Sequence, residues 1–340
     1  MVSAILSEGP QFRPEFKYGV EFKKTTTSEE VKENQTVVKL AAAAFNHRDI
    51  WILTGNYAGT VLNSVLGSDG VGHIIKNGKI GQRVLVNPAI GWKSDPRKPE
   101  KTLHILGLLP AIGTLTEEPV VVDQEDVVPC PEHLSLAEAA ALPLAGLTAY
   151  RTLFTKGQVQ KGQHVLITGI GGGVALFALQ FAAAIGAHVY VTSSSEEKIQ
   201  KAIRLGAKGG INYRNENCIK ELEKLLDGNK LSAIIDGAGG PLHSKYLDVL
   251  YEGGIIVNYG QTVRDGGILY SVEHFIQNVE IRGSTMGSRA EFKEMVQFVD
   301  KHKIKPVVSH VWKGLNKSSF EEAVVTMHGG NQFGKLVIEF

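Results

Sequence analysis

Residues 164–175, HVLITGIGGGVA, constrain this chain more than any other stretch. A run rich in β-branched residues, Val165 to Thr168, stops at Gly169. Glycines follow at Gly171, Gly172 and Gly173, and an apolar run from Val174 to Ile185 closes on Gly186. The pattern predicts a strand, a tight turn and a helix. Glycine allows the sharp turn and lets a ligand approach the backbone with no Cβ in the way. The first N–H groups of such a helix have no internal partner and suit a pyrophosphate. Gly169, Gly171, Gly172, Gly173 and Val174 are therefore candidate phosphate-binding positions. Ala175 stands where a third spaced glycine would permit the closest helix–strand packing. Taken alone, the stretch reads equally as a structural glycine turn.

The residues that follow favour the ligand reading. Apolar strand segments at 188–192, 211–213, 231–236, 253–260 and 279–283 alternate with helical segments at 196–205, 219–226 and 241–250. Strands apolar throughout, separated by helices, indicate a parallel sheet covered on both faces, with right-handed crossovers. After the second strand come Ser193, Ser194 and Ser195, where a site for NAD carries an acid that accepts from the ribose 2′-OH. Ser194, with Lys198 one helical turn on and Tyr213 after the third strand, suits a 2′-phosphate. Together they point to NADP(H). The structural alternative makes Ser194 a helix cap and Lys198 a solvated lysine. Gly237, in the run Asp236 to Gly240, and the pair Tyr259–Gly260 end the next strands. They are expected beside the cofactor, and are otherwise ordinary turns.

Composition removes several other functions. The chain has 340 residues, enough for two domains, and its 36 basic against 35 acidic residues leave a net charge of +1. No overall field for nucleic acid or an anionic membrane results. The two cysteines, Cys130 and Cys218, lie far apart, which excludes a disulfide framework and a four-cysteine zinc lobe. No HExxH occurs among the 11 histidines, and no metal site is expected. The N-terminus has no secretory pattern, and the longest apolar stretch is broken by Glu138, Pro143 and Gly146. A cytoplasmic protein without membrane contact is expected. Residues 1–134 read as short strands and turns, a mostly-β domain. From Ser135 an Ala- and Leu-rich helix begins, with Glu138 completing a capping box and Pro143 ending or bending it. The α/β domain is expected over 135–286. Residues 287–340 are expected to return to the first domain.

The segments AAAAFNHRDIWILTGNY, VLGSDGVG, GQRVLVNP, PEHLSLAEAAALPLAGLTAYRTLF, LGAKGGINYR, GSTMGSRAEF and QFGKLVIEF carry a full-length resemblance. The chain resembles the medium-chain dehydrogenase/reductases, in particular the zinc-free branch of the quinone oxidoreductases (ζ-crystallin type) and the "zinc-type alcohol dehydrogenase-like" proteins. The resemblance implies a GroES-like catalytic domain and a Rossmann domain. Where zinc-dependent members carry cysteine, His–Glu and cysteine, this chain has Asn46, Ser68–Asp69 and Leu144. The region 88–113, which carries their structural zinc, has no cysteine. The implied function is zinc-independent hydride transfer from NADPH to a quinone, enone or alkenal, in a homodimer that meets at the Rossmann sheet edge. Alternatives are an alcohol or aldehyde dehydrogenase, or an NADPH-binding sensor or RNA-binding protein. By resemblance Asn46, Asp49 and Tyr57 lie near the acceptor. Asn46 is expected to donate to a developing oxyanion, Tyr57 to donate or relay a proton, and Asp49 to orient the loop. The structural reading makes Asn46 simply a helix N-cap.

Overall fold

The structure, a computed structural model, describes residues 1–25, 31–263, 267 and 270–340. Its contacts divide the chain into two units, Met1–Leu147 with Gly287–Phe340, and Thr148–Met286.

The second unit is built on six parallel strands. In chain order they are His164–Ile167, His188–Ser193, Gly209–Asn212, Leu231–Asp236, Leu250–Asn258 and Glu280–Gly283. Counted within this unit, their order across the sheet is 3-2-1-4-5-6. This is the doubly wound dinucleotide-binding order, and it reverses between the first and fourth strands. Val165, Leu166 and Ile167 on the first, and Ala233, Ile234 and Ile235 on the fourth, are fully buried. Cover on both faces is why these strands are apolar without alternation. The third strand begins earlier than its β-branched residues suggest, because Gly209 and Gly210 pair with Tyr190 and Val191. The helical segment expected over 241–250 is a 3-10 helix, Pro241–Asp248, and Leu250 already belongs to the fifth strand.

In the first unit the long strand Gln35–Ala44 is central. It pairs antiparallel with Asp69–Lys76, Val120–Asp123 and Lys335–Glu339. The chain thus returns to complete its first sheet, with Val337 opposite Ala44. The hairpin from Asp69–Lys76 to Lys79–Val86 turns on Asn77 and Gly78, at φ of 51° and 71°. An Asn-Gly pair adopts this left-handed turn readily, and its twist matches the flanking strands. Phe16, Phe45, Phe320, Leu66 and Ile338 anchor one core cluster of this unit.

The Ala- and Leu-rich segment forms two helices, Leu136–Ala141 and Pro143–Tyr150. Ser135 and Glu138 make the expected capping box. The first helix ends before Pro143, as expected, and Pro143 opens the second. At a helix start its missing N–H costs nothing and its φ is already helical.

Candidate functional site

The glycine turn follows the first strand of the second unit. Gly169 and Gly171 take φ of 66° and 122°, a backbone region that side-chain-bearing residues rarely enter. Gly172 is the N-cap of the helix Gly173–Ala184. A Cβ on Gly169 would meet nothing within 4 Å, and one on Gly172 only the Gly169 carbonyl at 3.8 Å. Open space therefore adjoins the turn. The helix start is beside it, with the N–H groups of Gly173 and Val174 in the first turn. Ala175 is buried, so a methyl group is accommodated where a third glycine was considered.

Lys198 reaches this turn. A Cβ on Gly171 would lie 3.1 Å from Lys198 Cδ and 3.5 Å from its Nζ. Burial of the lysine stem, with Lys201 adding to it, holds its ammonium below the ordinary lysine range. Ser194 does not cap the following helix: Ser195 is the N-cap and accepts from Lys198 N at 3.3 Å. Tyr213 follows the third strand and donates its backbone N–H to Ser193 O. The Ser193–Ser195 segment contains no acid.

At the reversal of the sheet, Asp236 is fully buried. It accepts from Thr168 Oγ1 at 2.7 Å, from Ala238 N at 3.1 Å and from Gly239 N at 3.2 Å. Thr168 Oγ1 in turn accepts from Gly237 N, and Thr192 Oγ1 accepts from Gly169 N. Three strand ends are thereby tied together. The Tyr259 ring lies against Gly237, where a Cβ would come within 2.4 Å of it. Asn258 Nδ2 donates to Gly260 O, closing the fifth strand's turn. Asp236, Thr168 and Thr192 escape a sequence reading that looks for glycines, although each sits at the end of its strand.

Asn46, Asp49 and Tyr57 belong to the first unit, and the cofactor candidates to the second. Asn46 is the N-cap of the helix His47–Leu53, without a side-chain cap bond. Its amide is engaged elsewhere. Nδ2 donates to Asp69 Oδ2 at 2.9 Å and to Ser68 Oγ at 3.4 Å, and Oδ1 accepts from Lys335 Nζ at 2.6 Å. The expected donation to an oxyanion therefore has no free amide hydrogen behind it, and the buried side chain instead holds the chain turn. Asp49 Oδ2 accepts from Asn46 N at 2.8 Å. Burial pushes its carboxyl above the ordinary value, against Arg48 and that N–H. Lys335 also donates to Asp69 Oδ2 at 2.8 Å and to Phe45 O at 2.6 Å. Asp69 Oδ1 accepts from Leu144 N at 2.7 Å.

Tyr57 is half-buried and stands differently. Arg48 Nε donates to its hydroxyl oxygen at 3.4 Å, and the guanidinium lies over its ring, 4.9 Å from the centroid. Arg48 is itself anchored through Nη1 to Leu106 O at 2.7 Å. With an incoming donor on its oxygen, the phenol keeps its own hydrogen to give.

The loop near residue 95 is held by carboxylates. Glu100 accepts from the backbone N–H groups of Lys93, Ser94 and Asp95, and Asp95 from those of Arg97 and Lys98. Desolvation works to raise the Glu100 pKa. The Ser94, Lys93 and Asp95 N–H groups more than reverse this and hold it down to about 2. A pKa depressed on folding contributes stability above the unfolded value, lost as pH falls through the folded one. The loop should keep this brace at pH 4 and lose it only near pH 2. A carboxyl 13C titration of Glu100 with its midpoint near the ordinary glutamate value contradicts the brace.

Two family models match the chain: an alcohol dehydrogenase GroES-like domain over residues 32–132 and a zinc-binding dehydrogenase over residues 173–301. The "Zinc-type alcohol dehydrogenase-like protein YogA" of Leptosphaeria maculans is 41% identical over 326 residues, covering 90% of each chain. A quinone oxidoreductase of Pseudomonas aeruginosa is 28% identical, covering 76% of this chain and 75% of its own. Among solved structures, a protein described as an NAD-dependent alcohol dehydrogenase superposes with a TM-score of 0.87, at 30% identity, over 100% of both chains. A GroES-like domain joined to a doubly wound parallel sheet defines an α/β oxidoreductase fold. The chain belongs to the medium-chain dehydrogenase/reductase superfamily.

The zinc implied by the second model's description does not fit these residues. Asn46 presents an amide already bonded on both sides, Leu144 is apolar, and the Lys335 ammonium sits against Asn46 and Asp69. Zinc prefers thiolate and imidazole, and none of these groups supplies them. Among the described residues no group of three or more His, Cys, Asp or Glu is placed to hold a metal ion. No helix among them is long and apolar enough to cross a membrane.

Proposed function

We propose that the protein is an NADPH-dependent reductase that works without zinc on quinones, enones or alkenals. The observation that carries the cofactor reading is Lys198 lying across Gly171, after a strand end with hydroxyls and no acid. The pyrophosphate would lie on Gly169, Gly171, Gly172, Gly173 and Val174, and the 2′-phosphate by Ser194, Lys198 and Tyr213. Gly237, Tyr259 and Gly260 would flank the rest of the cofactor. Bound there, NADPH supplies a hydride. The protein's own part is to hold the acceptor and to stabilise the oxygen that gains charge. Tyr57, with Arg48 fixing its ring and hydroxyl oxygen, gives its hydrogen bond or proton to that oxygen. Asp49 and Asn46 keep the helix start in place.

The test is NADPH against NADH turnover over a panel of quinones, enones, alkenals and alcohols, with metal content measured in the same sample. Turnover only with alcohols, or only with stoichiometric zinc, overturns the proposal. In Lys198→Glu the preference for NADPH should fall by about 10- to 100-fold, the worth of a charge-assisted hydrogen bond to phosphate. An unchanged ratio removes Lys198 from the cofactor site. In Tyr57→Phe kcat should fall by about 10²-fold or more. In Asp49→Asn, which keeps an acceptor for Asn46 N, kcat should stay near that of the unsubstituted protein. The opposite ranking would make Asp49 the proton-handling group.

We also propose a small-molecule acceptor as the only partner besides a second copy of the chain, in the cytoplasm. The copy would dock at the Glu280–Gly283 edge of the second unit's sheet, close in sequence to the exposed Phe275 and Ile276.

A further inference from the structure

Lys335 is the most deeply enclosed cation of the first unit, with only 4% of its side chain exposed. A lysine is almost never so buried unless it is paired. An ordinary ion pair would need one carboxylate. Here the ammonium, which has three hydrogens to give, meets three oxygens of different kinds. They are the Phe45 backbone carbonyl at 2.6 Å, Asn46 Oδ1 at 2.6 Å and Asp69 Oδ2 at 2.8 Å. They come from two separate strand ends, and each side-chain ligand is itself held. Asn46 Nδ2 is turned toward Asp69 and Ser68, so its oxygen faces the lysine. Asp69 Oδ1 is fixed by Leu144 N. A carboxylate, an amide oxygen and a backbone carbonyl converging on one point are the donor set of a small hard cation.

We propose that Lys335 is a tethered cation. Its Nζ fills an oxygen-lined cation site made by Phe45 O, Asn46 Oδ1 and Asp69 Oδ2, fixes the turn that starts the His47–Leu53 helix, and denies the site to free metal ions. The lysine is a positioning residue. It acts through Asn46 and through the backbone from which Arg48 and Asp49 project. The ammonium supplies the counter-charge for the fully buried Asp69 carboxylate and a donor for the Asn46 amide oxygen beside it. This role does not depend on which acceptor is reduced, so a failure of the assay panel above leaves it standing.

The test uses the full chain and Mn2+ as probe. Lys335→Ala should acquire saturable Mn2+ binding, read as loss of the free-ion EPR signal, and its Tm should rise with Mn2+ concentration. The unsubstituted protein should show neither. Absence of any Mn2+ dependence in Lys335→Ala overturns the proposal. So does Mn2+ binding by the unsubstituted protein that Asp69→Asn abolishes. Should Lys335→Ala not fold, Lys335→Met is compared with Lys335→Met/Asp69→Asn, which removes both charges at similar volume. The double variant should regain much of the Tm lost by the single one. A double variant no more stable than the single, or one that also fails to fold, shows that charge balance is not what the lysine provides.

Discussion

Asp236→Ala should lower stability by about 3 kcal/mol or more and weaken NADPH binding by more than tenfold. The carboxylate is fully buried and accepts from a side-chain hydroxyl and from the backbone N–H groups of Ala238 and Gly239. Removing it leaves several buried donors unsatisfied, each at about 1–3 kcal/mol. The same bonds join the first and fourth strands where the sheet order reverses, which is where a dinucleotide sits in this topology. Both losses should therefore appear together: a lower denaturation midpoint with an unchanged slope, and a raised Kd in a fluorescence titration. Normal NADPH binding in a destabilised variant would make Asp236 a core residue only.

Gly171→Val should weaken NADPH binding by about 10- to 100-fold while leaving the fold intact. At φ of 122° a β-branched residue is strained, by about 1–3 kcal/mol. Its Cβ would also press on the Lys198 stem at 3.1 Å, a flexible contact that moves away at little cost. Relief by opening the turn separates Lys198 from the phosphate-binding N–H groups, and a cost of that size converts to the stated change in Kd. The informative comparison is with Lys198→Glu. If the lysine acts on the 2′-phosphate, its substitution changes NADPH affinity alone, whereas Gly171→Val weakens NADH and NADPH alike. Equal effects of both substitutions on both cofactors would contradict the division of labour.

Local signals made the second unit legible. Glycine runs, apolar strand segments and helix caps act over a few residues, so the strand–turn–helix at Gly169 and the parallel sheet could be read directly. Ser135 with Glu138 shows the same for a cap, and Asn77–Gly78 for a hairpin turn. The differences are local as well. Ser195 takes the cap that the structural alternative assigned to Ser194, a difference of one residue that no local pattern fixes. Pro143 breaks the Ala- and Leu-rich segment as expected, and it also opens the helix that follows. Harder to read was the first unit's cluster. Lys335 bonds Asn46 across 289 positions, and no periodicity or motif signals such a pair. Its consequence reached backwards: an asparagine that reads as an available donor is already committed. Asp69 was visible only through the resemblance to zinc-dependent dehydrogenases, which implies His–Glu at Ser68–Asp69, and its partner was not visible at all.

The return of the chain to its first sheet sets an order of events during synthesis. The strand Lys335–Glu339 lies beside Gln35–Ala44, and the lysine that neutralises Asp69 opens it. Until that segment has left the ribosome, the upstream sheet lacks a neighbour and a buried carboxylate lacks its counter-charge. Thr148–Met286 is continuous in the chain, and all six strands of its sheet lie within it. Domains tend to fold as units while the chain is being made. The later-translated Rossmann unit should thus mature first, with the earlier-translated one left incomplete until the strand Lys335–Glu339 has emerged.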